Sequence, residues 1–324
     1  MRPGHYEVWY ITLNHRASGS GFWIRYTLES PAPGRGPAHA QVWFAAFDAR
    51  DPSRNLALHR THAIAEMRSA AVPFEVRIGP AVLGHGFARG EVRGAGRAAR
   101  WDLSWTPAER TLRHLPDVVY RTPFADTRVL SPNPDVAVSG AIEVDGRAFV
   151  LHGEPGGQTH LWGRKHAHAW AWGRCNAFEG RPGALLESLS ARLRRAGILF
   201  PPVTLLTLRL DGEELRFTRL LDALRCRCRF GTARYAFRAS RRDVRIAGEF
   251  TCRPQDMVLA EYTDPDGERA YCANTEVATL RVQVRRRTGG RWRDAAGLVA
   301  EGTAHFEVAS RTPDPAVALR HLSL

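Results

Sequence analysis

Between Gln158 and Phe178 the chain gathers three tryptophans, three histidines, two arginines, an asparagine and its only lysine. Read with period 2, the even positions carry Gln158, His160, Trp162, Arg164, His166, His168, Trp170, Trp172, Arg174, Asn176 and Phe178. The odd positions are mostly small: Thr159, Gly163, Ala167, Ala169, Ala171, Gly173, Cys175 and Ala177. Side chains of a strand alternate between the two faces of its sheet. One face is therefore smooth, and the other mixes rings with proton-carrying groups. An apolar wall with a few placed polar groups is how a small-molecule cavity is built. A central strand with packed tryptophans and capped histidines is the competing reading, and we take the cavity first. The triplet Gly163-Arg164-Lys165 is a turn candidate that would reset the phase between the two halves.

His160, Lys165, His166 and His168 are candidate general acids, since imidazole and amine protons move when burial or nearby guanidinium groups depress their pKa. Trp162, Trp170 and Trp172 can hold an apolar ligand, or a cationic one over their π faces. His166-Ala167-His168, with His160 nearby, has the donor types for zinc, iron or copper. No carboxylate falls between Glu154 and Glu179, so we read these histidines as hydrogen-bonding groups and expect no metal.

The elements that must position this stretch read as strands. Tyr6 to Leu13 and Phe22-Trp-Ile-Arg-Tyr-Thr-Leu28 alternate across a turn cluster at 14–21. Asp145-Gly146 and Asp211-Gly212 each separate two apolar runs, a hairpin signal. Residues 110–133 read as a long connection. One segment, Pro182 to Gly197, reads as an amphipathic helix, with Leu185, Leu186, Leu189 and Leu193 on a stripe and Gly197 at its stop. Many short strands with one helix give an all-β class, barrel or sandwich. Two domains are expected, 1–155 and 156–324.

The net charge of +13 and pI near 10.5 raise the question of nucleic acid. The arginines are dispersed, as at Arg192, Arg194 and Arg195, or at Arg285, Arg286 and Arg287, and read as solvated faces. No nucleic-acid motif accompanies them, so no specific nucleic-acid partner is expected. Five cysteines, an odd count, argue against a disulfide framework. Phosphate-loop, nucleophile-elbow, zinc-protease and dinucleotide motifs are absent, and no cofactor is expected. No apolar run approaches the ~20 residues that span a bilayer, and the N-terminus has no signal-peptide core, so we read a cytoplasmic protein.

Thr159-His-Leu-Trp-Gly163, Trp170-Ala-Trp172 and Asn176-Ala-Phe178 resemble motifs of the AttH-like and carotenoid 1,2-hydratase (hydroxyneurosporene synthase) superfamily, to which tocopherol-cyclase-like proteins are similar. Phe22 to Tyr26 and Tyr271-Cys-Ala-Asn-Thr-Glu276 also look like parts of such chains. The resemblance implies two lipocalin-like, calycin-type antiparallel β-barrel domains around a site for a hydrophobic molecule. It implies lyase or isomerase chemistry, hydration or cyclisation, on isoprenoids or polyketides. His160 and Trp162 match the motif His and Trp, but Thr159 stands where the family has an Asp. A hydroxyl is no acid for an alkene, which separates this chain from carotenoid-type hydration.

The expected function is therefore binding of a hydrophobic, isoprenoid or polyketide-like molecule, with cyclisation, isomerisation or hydration as its chemistry. His160 is the candidate acid. Trp162, Trp170 and Trp172 are the walls, and Lys165, His168, Arg174 and Asn176 the polar contacts. A non-enzymatic lipid carrier of the same fold is the second reading, and a polyanion-binding module the third.

Overall fold

The computed structural model describes residues 3–122, 125–223, 225–317 and 321–323. The described residues form two large antiparallel sheets, of 13 and 10 strands, and a small two-stranded ribbon. The first sheet curls into a nearly closed barrel and the second into a half-barrel, two lipocalin-like bodies. The chain leaves the first sheet at the end of Arg147–Gly163 and enters the second at Ala169–Cys175. His321–Ser323 returns to the first sheet and pairs in parallel with 57–59.

Alternation decides what each strand buries. In Ser20–Ser30, Phe22, Ile24 and Tyr26 point into the first barrel beside Phe44 and Trp101, whose indole Nε1 donates to the Tyr26 hydroxyl at 3.1 Å. Trp23 faces the other way, toward the second sheet. The second body has its own core around Phe217, Tyr235, Phe250 and Phe306. Both interiors are filled with side chains. A third apolar cluster, with Tyr10, Trp23, Trp170 and Trp172, lies between the sheets.

The two Asp-Gly hairpins form as read. Asp145 and Gly146 have φ of 49° and 81°, and Asp211 and Gly212 have 51° and 81°. Positive φ at both central residues gives a turn whose twist matches the flanking strands.

The helix expected at Pro182 to Gly197 is a strand instead. Leu185–Arg192 pairs with Ala169–Cys175 on one side and Val203–Leu210 on the other. It is buried on both faces. Leu186 packs into the second core, while Leu189 and Ala191 pack between the sheets. Ser188 and Ser190 sit on the core face because the Tyr235 hydroxyl meets them at 2.6 and 2.7 Å. Leucines on two faces imitated a helical stripe, and two buried serines hid the alternation. Gly197 is no helix stop. With Ala196 it makes a tight turn, φ 48° and 81°, between Arg194–Arg195 and Ile198–Leu199. The connection expected over 110–133 is also shorter, because Thr127–Val144 absorbs Pro132 and Pro134 through two register shifts.

Candidate active site between the two sheets

The outer faces of the two sheets enclose a cavity of about 740 Å³. From the first sheet, Val8, Tyr10, Trp23, Arg25, Val129 and Leu161 line it. From the second come Trp170, Trp172, Leu189, Ala191, Leu205 and Glu307. Strand register accounts for the second wall. Asn274 pairs with Glu307, Glu307 with Trp172, Trp172 with Leu189 and Leu189 with Leu205, so five neighbouring strands present one row to one face.

The two wall tryptophans are held by carboxylates. Trp170 Nε1 donates to Glu307 Oε1 at 2.7 Å, and Trp172 Nε1 donates to Glu187 Oε2 at 2.8 Å. Such bonds fix the ring planes and leave their faces to the cavity. Arg174 lies beneath them, 4% exposed. Its Nε donates to Glu187 at 3.2 Å, its Nη1 to Thr12 Oγ1 at 2.6 Å and its Nη2 to the Pro134 carbonyl at 2.7 Å. One guanidinium thus ties the sheets together. Gly157 makes room for it: a Cβ there would sit 2.3 Å from Arg174 Nη2. Asn176 is a second tether, donating to Asp135 and to the Gly156 carbonyl.

Behind Glu307 lies a buried ion pair. His305 Nδ1 and Glu276 Oε1 are 2.7 Å apart, and each side chain is 1% exposed. Burial alone would depress His305, but Glu276 outweighs it and His305 holds its proton above the usual imidazole range. Burial raises Glu276, and the charge and hydrogen bond of His305 oppose this only in part. The other imidazole nitrogen, Nε2, is 3.9 Å from Glu307 Oε2 and has no hydrogen-bond partner among the described residues. The Asn274 amide is likewise buried without a partner. Tyr10 stands across from them, edge-on to Trp172 with centroids 5.8 Å apart. Burial and the charges of Glu307 and Glu187 push its hydroxyl well above the ordinary phenol range, so it stays a proton donor.

At the rim, His166 stacks on Tyr6 at 4.4 Å and bonds Asp264 at 2.6 Å. Burial would raise Asp264, yet His166 and Arg311 overrule it and hold it at about 2. Lys165 pairs with Asp266 at 2.6 Å and Glu268 at 3.0 Å. His168 also lines the rim, its pKa lowered by burial and by Arg194 and Arg311.

The sequence-expected residues therefore separate. Lys165, His168, Trp170 and Trp172 line the cavity, while Arg174 and Asn176 lie beneath it as tethers. His160 and Trp162 are elsewhere. His160 stacks between Trp9 and Trp162 and bonds Glu7 at 2.8 Å, on the sheet face opposite the cavity. Neither His160 nor Trp162 lines the cavity between the sheets. The segment 164–168 resets the phase: before it the odd residue Leu161 faces the cavity, after it the even Trp170 and Trp172 do. Thr159 shares the face of Leu161 and meets Ser131 Oγ at 3.1 Å. Glu307, His305, Glu187 and Tyr10 escaped the sequence reading. The signal was there in Ala304-His305-Phe306-Glu307, where two ionisable groups alternate with buried apolar residues.

A family model described as tocopherol cyclase-like matches residues 134–309, just over half of the chain. The uncharacterized protein Rv0493c of Mycobacterium tuberculosis (strain ATCC 25618 / H37Rv) is 27% identical over 324 residues, covering 97% of this chain and 89% of that protein. An AttH protein from Nitrosomonas europaea shares the fold with a TM-score of 0.56 at 16% identity, over 95% of this chain and 93% of that one. Kievitone hydratase from Nectria haematococca gives 0.55 at 10% identity, over 94% and 89%. CghA gives 0.55 at 11% identity, over 94% and 88%.

Proposed function

The chain belongs to the tocopherol cyclase-like family, and from that premise we propose that it binds a hydrophobic small molecule between its two sheets and transfers a proton to or from it. The supporting observation is Glu307, a carboxyl group 12% exposed that lines the cavity beside Trp170, Trp172, Leu189 and Leu205. An acid shielded from water is what hydration, isomerisation or cyclisation of an alkene requires. Thr159 lacks that acidity, and Glu307 takes the role. The ligand class is isoprenoid or polyketide-like, long enough to fill the cavity and bearing one polar group that reaches Tyr10 and Glu307. Kievitone hydratase is by its name a hydratase, and CghA was solved with Sch210972. We also read the two sheets as two lipocalin-like domains, with the chain passing between them at 164–168, about ten residues beyond the expected junction at 155/156.

The test is turnover of a ligand extracted from the purified protein, measured for wild type and Glu307→Gln. Loss of general acid catalysis lowers the rate about 100-fold or more while the ligand is still retained. An unchanged rate refutes the role of Glu307. A carrier function is the second reading, favoured by the hydrogen bond that already engages Glu307 with Trp170. Retention of an extracted ligand without any product, in wild type as in Glu307→Gln, supports that reading.

A further inference from the structure

Nine large apolar side chains are strongly exposed among the described residues, and seven of them belong to segments at the mouth of the cavity. Leu193 and Val203 line the mouth, and the hairpin between them carries Ile198, Leu199 and Phe200. Ile198 is 63% exposed at the turn made by Ala196 and Gly197. Val118, 62% exposed, lies on the short helix Asp117–Arg121 beside the lining residue Val119. Leu221, 68% exposed, lies two residues after the lining residue Arg219. Scattered apolar residues need no explanation, but a concentration from three separate segments around one opening does.

The same rim is basic. Arg194, Arg195 and Arg219 line the mouth, and Arg192 flanks it. Asp126 is paired with Arg195 and Arg164, Asp117 with Arg113, and Glu268 with Lys165. Arg192, Arg194 and Arg219 form no ion pair among the described residues. A second copy is a poor cover for such a rim, because a two-fold contact would set arginine against arginine. A surface that takes apolar side chains while presenting phosphates satisfies both features at once.

We propose that this rim docks on an anionic lipid bilayer. The 196–200 turn inserts Ile198 and Phe200 among the headgroups, the arginines contact lipid phosphates, and the cavity opens against the membrane. Its ligand then enters from lipid without crossing water. The statement about the ligand rests on the function proposed above, whereas the docking itself does not.

The experiment is co-sedimentation of the whole protein with vesicles of phosphatidylcholine alone or mixed with phosphatidylglycerol. Uptake of the apolar fluorophore Nile red is followed in parallel without vesicles. Wild type binds the mixed vesicles, and the double variant Ile198→Ser, Phe200→Ser binds them at least about tenfold more weakly. Arg192→Gln weakens binding about fivefold. Both variants take up Nile red as wild type does, because none of the three substituted residues lines the cavity. Three outcomes overturn the proposal: no preference for phosphatidylglycerol, binding that the double variant keeps in full, or a dimer in solution that the double variant dissociates. Failure of Nile red uptake with vesicle binding intact counts against the cavity and leaves the docking standing.

Discussion

Two histidine–carboxylate pairs of nearly equal length sit in different surroundings. Glu7 and His160 are 2.8 Å apart with 28% and 21% of their side chains exposed, and Glu276 and His305 are 2.7 Å apart with 1% each. In the half-buried pair burial would raise Glu7, but His160 and His5 overrule it and hold it at about 2. In the buried pair burial lifts Glu276 beyond what its partner restores, and His305 keeps its proton. The geometry of a pair thus says little until its solvent is known. A pair that water still reaches is an ordinary ion pair worth on the order of 1 kcal/mol. The same two groups when buried keep a proton on His305, whose Nε2 lies 3.9 Å from Glu307 Oε2.

The largest expected effect is on folding. His305→Ala leaves Glu276 buried without its partner, and removal of one member of a buried pair destabilises by about 3–5 kcal/mol. Chemical denaturation reads this directly, and a loss under about 1 kcal/mol would erase the contrast between the pairs. Trp172→Ala is expected to lose a similar ~3–5 kcal/mol, from the vacated indole volume and from Glu187, which loses a donor. It also abolishes Nile red uptake, and normal uptake would remove Trp172 from the binding wall.

The pH dependence sharpens the comparison further. His305 is raised from its ordinary 6.5 in the folded state, so its contribution is complete below that pH and fades as pH rises through the folded value. Glu276, raised from 4.5, acts in the same direction. Glu7, lowered from 4.5 to about 2, does the reverse: its contribution is present above 4.5 and fades as pH falls toward 2. Wild-type stability should therefore decline on both sides. His305→Ala should leave an alkaline limb set by Glu276 alone, which starts from about pH 4.5 and is steeper there than in wild type, and His160→Ala should flatten the acid limb. Interchanged limbs would contradict the assignment. The smallest effect is that of His160→Ala itself, about 1 kcal/mol or less with unchanged Nile red uptake.

Much of the fold was legible because its signals are local. Asp145-Gly146 and Asp211-Gly212 demand their turns, and Phe22, Ile24 and Tyr26 alternate with Trp23 and Arg25 on the two faces of one strand. Leu185–Arg192 was not legible, since burial on both faces removes the alternation on which a strand is recognised. The site was legible by half. Trp170 and Trp172 declare a cavity wall through residue type alone, but which face of 158–163 joins them depends on the turn at 164–168. Glu307 and His305 were hidden for a different reason. Their chemistry comes from Trp170 and Glu276, which pairing across the sheet brings near them from distant parts of the chain.

Native mass spectrometry of the protein as purified, followed by organic extraction, tests the central claim most directly. The account predicts a bound apolar molecule that is absent from Trp172→Ala, and its structure names the substrate on which Glu307 is to be assayed. A protein that carries nothing, and takes up neither Nile red nor any of a panel of isoprenoid and polyketide lipids, would contradict the account and leave Trp170 and Trp172 as packing between two sheets.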